Sequence, residues 1–134
     1  MGKIMKNQES KQSSPQVLIV DDDTQILTML QSFLSLKHID SMTCNSPQEA
    51  LNILRTKDIR LALLDINMPE MTGLELLQKI VEIAPSVHVI MITGFEDIDT
   101  AHRCMELGAK DYITKPFDFD YLETSVLAEI IQIQ

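Results

Sequence analysis

A doubly wound α/β fold, with a five-stranded parallel sheet covered by helices on both faces, is predicted by two features of the 134-residue sequence. The first is a set of continuous apolar runs, VLIV, LALL and VHVIMI, which lack the polar alternation of half-exposed strands. Strands buried on both faces read this way, and sheets covered on both faces are typically parallel. The second is the alternation of strand and amphipathic helix five times along the chain, the pattern of right-handed βαβ crossovers. Five strands favour the flavodoxin-like order 2-1-3-4-5 over the six-strand dinucleotide-binding order.

The elements follow in order. Residues 1–15, MGKIMKNQESKQSSP, have no sustained periodicity and are expected to form a disordered leader, with one domain over residues 16–134. The first strand is expected at residues 16–20. A helix follows at 24–36, capped by Asp23, with Ile26, Leu27, Leu30, Phe33 and Leu34 at helical spacing. A weak second strand at 40–44 suggests a sheet edge. Ser46 then caps a helix that has Pro47 at its first position and runs to about Lys57. The third strand, 60–64, ends at Asp65. INMPEMTG reads as a loop, and Leu74, Leu77, Ile80 and Val81 set out the inner face of a third helix closed by Pro85. A fourth strand at 86–92 precedes Gly94 and a short helix from about Glu96 to Leu107, with Gly108 as a left-handed cap. The fifth strand, 110–114, leads through Lys115-Pro116 to a last helix over about 118–131.

Bulk composition narrows the function classes. A chain of this length buries enough surface for a core without disulfides or structural metal. Cys44 and Cys104 have no metal-ligand spacing and read as packing residues in a reducing compartment. No apolar run approaches the ~18 residues of a bilayer span, and the N-terminus lacks a signal-peptide core, so a cytoplasmic protein is expected. The net charge is −9. Lys3, Lys6 and Lys11 against Glu9 make the leader basic, leaving the body more acidic still. Such a body argues against direct nucleic-acid binding and against anionic membranes. His38, His88 and His102 lie in separate elements without cluster spacing.

In a parallel sheet all C-terminal strand ends point one way, and ligands bind beyond them. The predicted strands end at Asp21, Asp22 and Asp23, at Asp65, at Thr93 and at Lys115, so these residues should converge. Two carboxylates at about 4 Å repel by on the order of 4 kcal/mol at an effective dielectric of 20, and one lysine cannot balance three of them. A small hard divalent ion, best Mg²⁺, is implied. With the metal neutralising a transferring group, one Asp can attack as nucleophile and form an aspartyl phosphate. Lys115 and Thr93 would then hold the phosphoryl oxygens.

The segments VLIVDDD, LLDINMPEMTG, VIMITG and GAKDYITKPF, in this order and spacing, resemble the receiver domain of two-component response regulators over residues 16–132. The resemblance implies that Asp65 accepts a phosphoryl group from a sensor histidine kinase or phosphotransfer protein. It implies Mg²⁺ held directly by Asp22, Asp65 and the backbone carbonyl of Asn67, with Asp21 acting through water. Lys115 would contact the phosphoryl group, and the bond to Pro116 would be cis. Thr93 and Tyr112 would be the switch residues. The readout face would be the fourth helix, fifth strand and fifth helix, with Ile98, Ala101, His102, Met105 and Phe119 as apolar contacts, a surface that also allows a homodimer. Phe95 would set the phosphoryl lifetime, and its apolar ring predicts slow loss. Pro69 and Gly73 would shape the loop beside Asp65, and Met68 and Met71 belong to that loop; the remaining methionines read as core or leader.

The resulting expectation is a signalling switch that catalyses only its own phosphorylation and dephosphorylation, not an enzyme with a substrate to turn over. A haloacid-dehalogenase-type phosphohydrolase would want its nucleophile in a D-x-D-x-T/V run after the first strand, and Gln25 breaks that run. A flavin or nucleotide carrier would need a glycine-rich loop where three aspartates stand. The output is not legible: the sequence is either a stand-alone switch or a segment of a larger regulator.

Overall fold

The computed structural model describes residues 16–133, excepting the side chains of Gln16 and Phe95. The leader expected at 1–15 lies outside the described residues. Five parallel strands, β1 (Gln16–Val20), β2 (Ser41–Cys44), β3 (Ile59–Asp65), β4 (His88–Thr93) and β5 (Asp111–Thr114), form one sheet in the order β2-β1-β3-β4-β5. The crossovers are α1 (Thr24–Leu36), α2 (Pro47–Thr56), α3 (Gly73–Ile83) and α4 (Ile98–Glu106), the last preceded by a 3₁₀ turn at Phe95–Asp97; α5 (Phe119–Ile133) follows β5. The predicted fold class and strand order are those observed, and the weak second strand is an edge.

The strands alternate their side chains between two cores, as a period of two requires. Leu18, Val20, Ala62, Leu64, Val89 and Met91 face α2, α3 and α4. Val17, Ile19, Leu61, Leu63, Ile90 and Ile92 face the other way, against Leu30 and Leu34 of α1 and Leu122 and Val126 of α5. Each Val, Leu, Ile or Met among them contributes roughly 1.5–3 kcal/mol on burial. That double burial is why β1, β3 and β4 read as unbroken apolar runs.

Helix starts use local chemistry. Asp23 Oδ1 accepts the Gln25 N–H at 2.9 Å, and Ser46 Oγ accepts the Glu49 N–H at 3.2 Å. Thr72 and Glu75 make a reciprocal capping box at α3, which the loop reading of INMPEMTG overlooked although T-x-x-E is its signature. Gly108 has φ +117°, the left-handed cap expected after α4.

Two expectations need correction. Val81 is exposed, because α3 buries the line Gly73, Leu76, Leu77 and Ile80 instead. The phase is set at Gly73, where a Cβ would stand 2.6 Å from the Asp65 carbonyl oxygen and 2.7 Å from Ile66 Cα, so the helix enters closer to the sheet than a side chain permits. Ala101, proposed for a surface, is fully buried against the sheet. Both cysteines are free and buried, as expected of packing residues. Among the described residues no helix is long and apolar enough to cross a membrane.

Candidate functional site

Strand register brings the acidic residues together. Val20 pairs with Leu64, so the next residues, Asp21 and Asp65, emerge side by side from the two central strands. Asp65 pairs in turn with Ile92, and Thr93 with Thr114, which puts Thr93 and Lys115 at the same edge. One carboxylate oxygen from each of Asp21, Asp22 and Asp65 lies within 4.8 Å of the others. An open cavity of about 500 Å³ sits over them, with Asn67, Glu96 and Lys115 on its walls.

Burial differs sharply among these groups. Asp21 is fully buried and Asp65 is 5% exposed, whereas Asp22 faces solvent. Asp21 Oδ1 accepts the Asp23 N–H at 2.9 Å, which fixes its orientation. The Lys115 ammonium spans the two buried carboxylates, at 3.3 Å from Asp21 and 3.4 Å from Asp65. Burial, and then the charge of Asp21, push the Asp65 carboxyl up to about 6, against the pull of Lys115. Burial also raises Asp21. The carboxylates raise Lys115 and so keep it charged, although its own burial acts the other way. An acid held this far above its ordinary range reflects burial first and the neighbouring carboxylate second. The cluster is capable of coordinating a divalent cation, since three convergent oxygens with an exposed side suit a hard ion that keeps several waters.

The remaining predicted residues take these places. Thr93 is buried, and its hydroxyl donates to the Gly94 carbonyl at 3.0 Å. Asn67 is on the exposed loop after β3, its side-chain amide donating to Asp97. Tyr112 lies half-buried on β5, away from the carboxylates, with its hydroxyl 3.2 Å from His102 Nε2. The Lys115-Pro116 peptide is cis. His102, Met105 and Phe119 are exposed and Ile98 is half-buried. The expectation for the Phe95 side chain lies outside the described residues. Glu96 and Asp97 were missed as site neighbours: both were absorbed into a helix start, though two carboxylates within four residues of a strand's reactive end were the available signal.

Residues 17–127 match the family model of the response regulator receiver domain. The chain is 38% identical over 110 residues to the transcriptional regulatory protein ZraR of Klebsiella oxytoca, covering 82% of this chain and 25% of that protein. It is 41% identical over 102 residues to the DNA-binding transcriptional regulator NtrC of Klebsiella pneumoniae, covering 76% of this chain and 22% of that one. The chain thus spans about a quarter of the length of these relatives. Among solved structures it is similar to a CheY-like response regulator receiver domain protein from Methanospirillum hungatei, with a TM-score of 0.84, 30% identity and 90% and 97% of the two chains covered. It is also similar to the N-terminal signal receiver domain of a two-component response regulator from Bacteroides fragilis, with a TM-score of 0.82, 32% identity and 88% and 98% covered.

Proposed function

The chain belongs to the response regulator receiver domain family, whose members act as phosphotransfer switches in two-component signalling, and from that premise we propose that Asp65 is its phosphoryl acceptor. The observation that carries this reading is the crowding of Asp21, Asp22 and Asp65 within 4.8 Å around one ammonium. Asp21 and Asp65 are both buried at strand ends beside Lys115, but Asp21 Oδ1 is already engaged by the Asp23 N–H, whereas among the described residues the Asp65 carboxylate meets only the Lys115 ammonium. Asp22 is open to a solvated ion, and Asp21 is held by Asp23 and Lys115.

The cation best suited is Mg²⁺, which Asp22, Asp65 and the Asn67 carbonyl would hold directly and Asp21 through water. When bound it neutralises charge on the transferring phosphoryl group. The donor is a phosphohistidine on a sensor histidine kinase or phosphotransfer protein. An ionised Asp65 oxygen forms the new O–P bond as the P–N bond breaks, and the departing imidazole keeps the electron pair and takes up a proton. Lys115, already 3.4 Å from Asp65, holds a phosphoryl oxygen. Thr93 reaches another only by giving up its bond to Gly94, which makes it the sensor; Tyr112 on the neighbouring strand follows. The surface of α4, β5 and α5, where His102, Met105 and Phe119 are exposed, carries the result to a partner or to a second copy. By likeness to ZraR and NtrC, the downstream event is transcriptional control.

Incubation with a small phosphodonor and Mg²⁺ tests the assignment by mass spectrometry. The expected result is a gain of one phosphoryl group that Asp65→Asn abolishes; a gain that persists in Asp65→Asn overturns it.

A further inference from the structure

We propose that Asp97 is a positioning residue that holds Asn67 beside the acidic site and, for that reason, leaves α4 uncapped until the site is filled. Two contacts of the Asp97 side chain, one made and one missing, carry it. The Asn67 side-chain amide donates to the Asp97 carboxylate across 30 residues of sequence. Asp97 is also the N-cap residue of α4, yet its side chain makes no bond to that helix.

The contrast with the other helices is specific. Asp23, Ser46 and Thr72 cap α1, α2 and α3 from extended backbone, with ψ of 108°, 148° and 158°, and each accepts an N–H of its own first turn. Asp118, just before α5, likewise accepts the Tyr121 N–H, at 3.1 Å. Asp97 instead has ψ 18° and is wound into the 3₁₀ turn, its N–H donating to the Gly94 carbonyl at 3.1 Å. An aspartate is among the strongest capping residues, so a helix that begins on one without using it has a second arrangement available.

Site occupancy selects between the two arrangements, given the phosphoacceptor reading above. A phosphoryl group on Asp65 is a dianion with three acceptor oxygens, placed two residues before Asn67. It competes with Asp97 for the Asn67 amide and repels the Asp97 carboxylate. Released, Asp97 swings to extended backbone and accepts an N–H from Asp99 or Thr100. The first turn of α4 then tightens, and α4 carries His102, the partner of Tyr112. A binding event at the strand ends thereby becomes a change in helix order on the readout face, with Asp97 as the bistable element.

Amide hydrogen exchange at Asp99 and Thr100 tests this without phosphorylation. Asn67→Ala should slow exchange there roughly three- to tenfold relative to the unmodified protein, because Asp97 is free to cap. Asn67→Ala combined with Asp97→Ala should show no slowing. Asp97→Ser, which can cap but is too short to reach Asn67, should be slow on its own. Equal exchange in Asn67→Ala and the parent protein overturns the proposal, whether or not Asp65 takes a phosphoryl group. Adding phosphodonor and Mg²⁺ should slow the same amides in the parent protein and leave Asp97→Ala unchanged. Failure of Asp65 to gain phosphoryl mass counts against the phosphoacceptor reading alone, since the first comparison does not use it.

Discussion

Lys115 lies 3.4 Å from Asp65, and yet the Asp65 carboxyl is pushed up to about 6. An ammonium at that distance from an exposed aspartate would hold its pKa down. Here burial, and then the charge of Asp21, outweigh it; the same ammonium also lies 3.3 Å from Asp21. A buried acid beside a second carboxylate should respond to both protons and cations.

The first prediction concerns pH. A carboxyl whose folded pKa lies above its unfolded value stabilises the fold below the unfolded pKa, and that contribution is lost as pH rises through the folded one. For Asp65 the window runs from about 4 to about 6, and the loss is on the order of 3 kcal/mol. Asp21 is raised as well and acts in the same sense. Without divalent cation, Asp65→Asn should therefore gain stability relative to the parent as pH rises from 4 to 7, measured by urea unfolding. A constant difference across that range would remove the basis for the argument.

Cation binding should reverse that loss. Millimolar Mg²⁺ at pH 7 is expected to raise the melting temperature by relieving carboxylate repulsion, in proportion to its occupancy of the folded state. Asp22→Ala, which removes the exposed carboxylate and leaves the buried pair intact, should abolish the response. Since protons and cation compete for Asp65, the Mg²⁺ shift should shrink as pH falls below about 6.

Gly73 provides a test of how the fold supports the site. A Cβ there would meet Asp65 O at 2.6 Å and Ile66 Cα at 2.7 Å, both backbone atoms that cannot step aside. Gly73→Ala should cost about 1–3 kcal/mol by overpacking. It should also weaken the Mg²⁺ response, because the strain falls on the backbone of Asp65. Unchanged stability together with an unchanged Mg²⁺ response would show that α3 can move outward independently of β3.

These relationships were unequally legible in the sequence. Strand ends and order could be read because double burial writes itself as apolar runs, and because parallel topology forces Asp21, Asp65, Thr93 and Lys115 to one edge. The exposed position of Val81 could not be read: the rotation of α3 depends on a backbone contact between Gly73 and β3, and periodicity alone permits either phase. The break between the 3₁₀ turn and α4 was hidden for a similar reason. The helix was expected from about Glu96, but it starts at Ile98, and the side chain of Asp97 bonds to Asn67 on another loop and not to its own helix. Local signals were right where local chemistry decides and failed where a distant contact overrides them.

The thiols offer a prediction of the opposite kind, an absence of reactivity that follows from burial. Cys44 is pushed up to about 12 by burial and then by the charge of Glu49, and Cys104 is raised by burial alone, against the pull of Arg103. Thiolate is the reactive form, so neither should react with an alkylating reagent in the native protein at pH 8. Labelling should instead track unfolding, with both sites modified together in denaturant. Rapid native-state labelling of either cysteine would mean that the core beside α2 or α4 opens locally.

The last prediction is the lifetime of the phosphoryl group. Hydrolysis of an aspartyl phosphate needs a water held in line with the phosphorus, and side chains with an acid or amide do this best. Phe95, two residues beyond Thr93, offers neither. The amide of Asn67, which lines the cavity, is occupied by Asp97 and, once released, is drawn to the phosphoryl oxygens. Loss of the phosphoryl mass at neutral pH should accordingly take minutes or longer, and Phe95→Glu, which supplies a carboxylate at that position, should shorten it. A half-life of seconds in the unaltered chain would place the water-orienting group elsewhere on the rim, with Glu96 the first residue to replace.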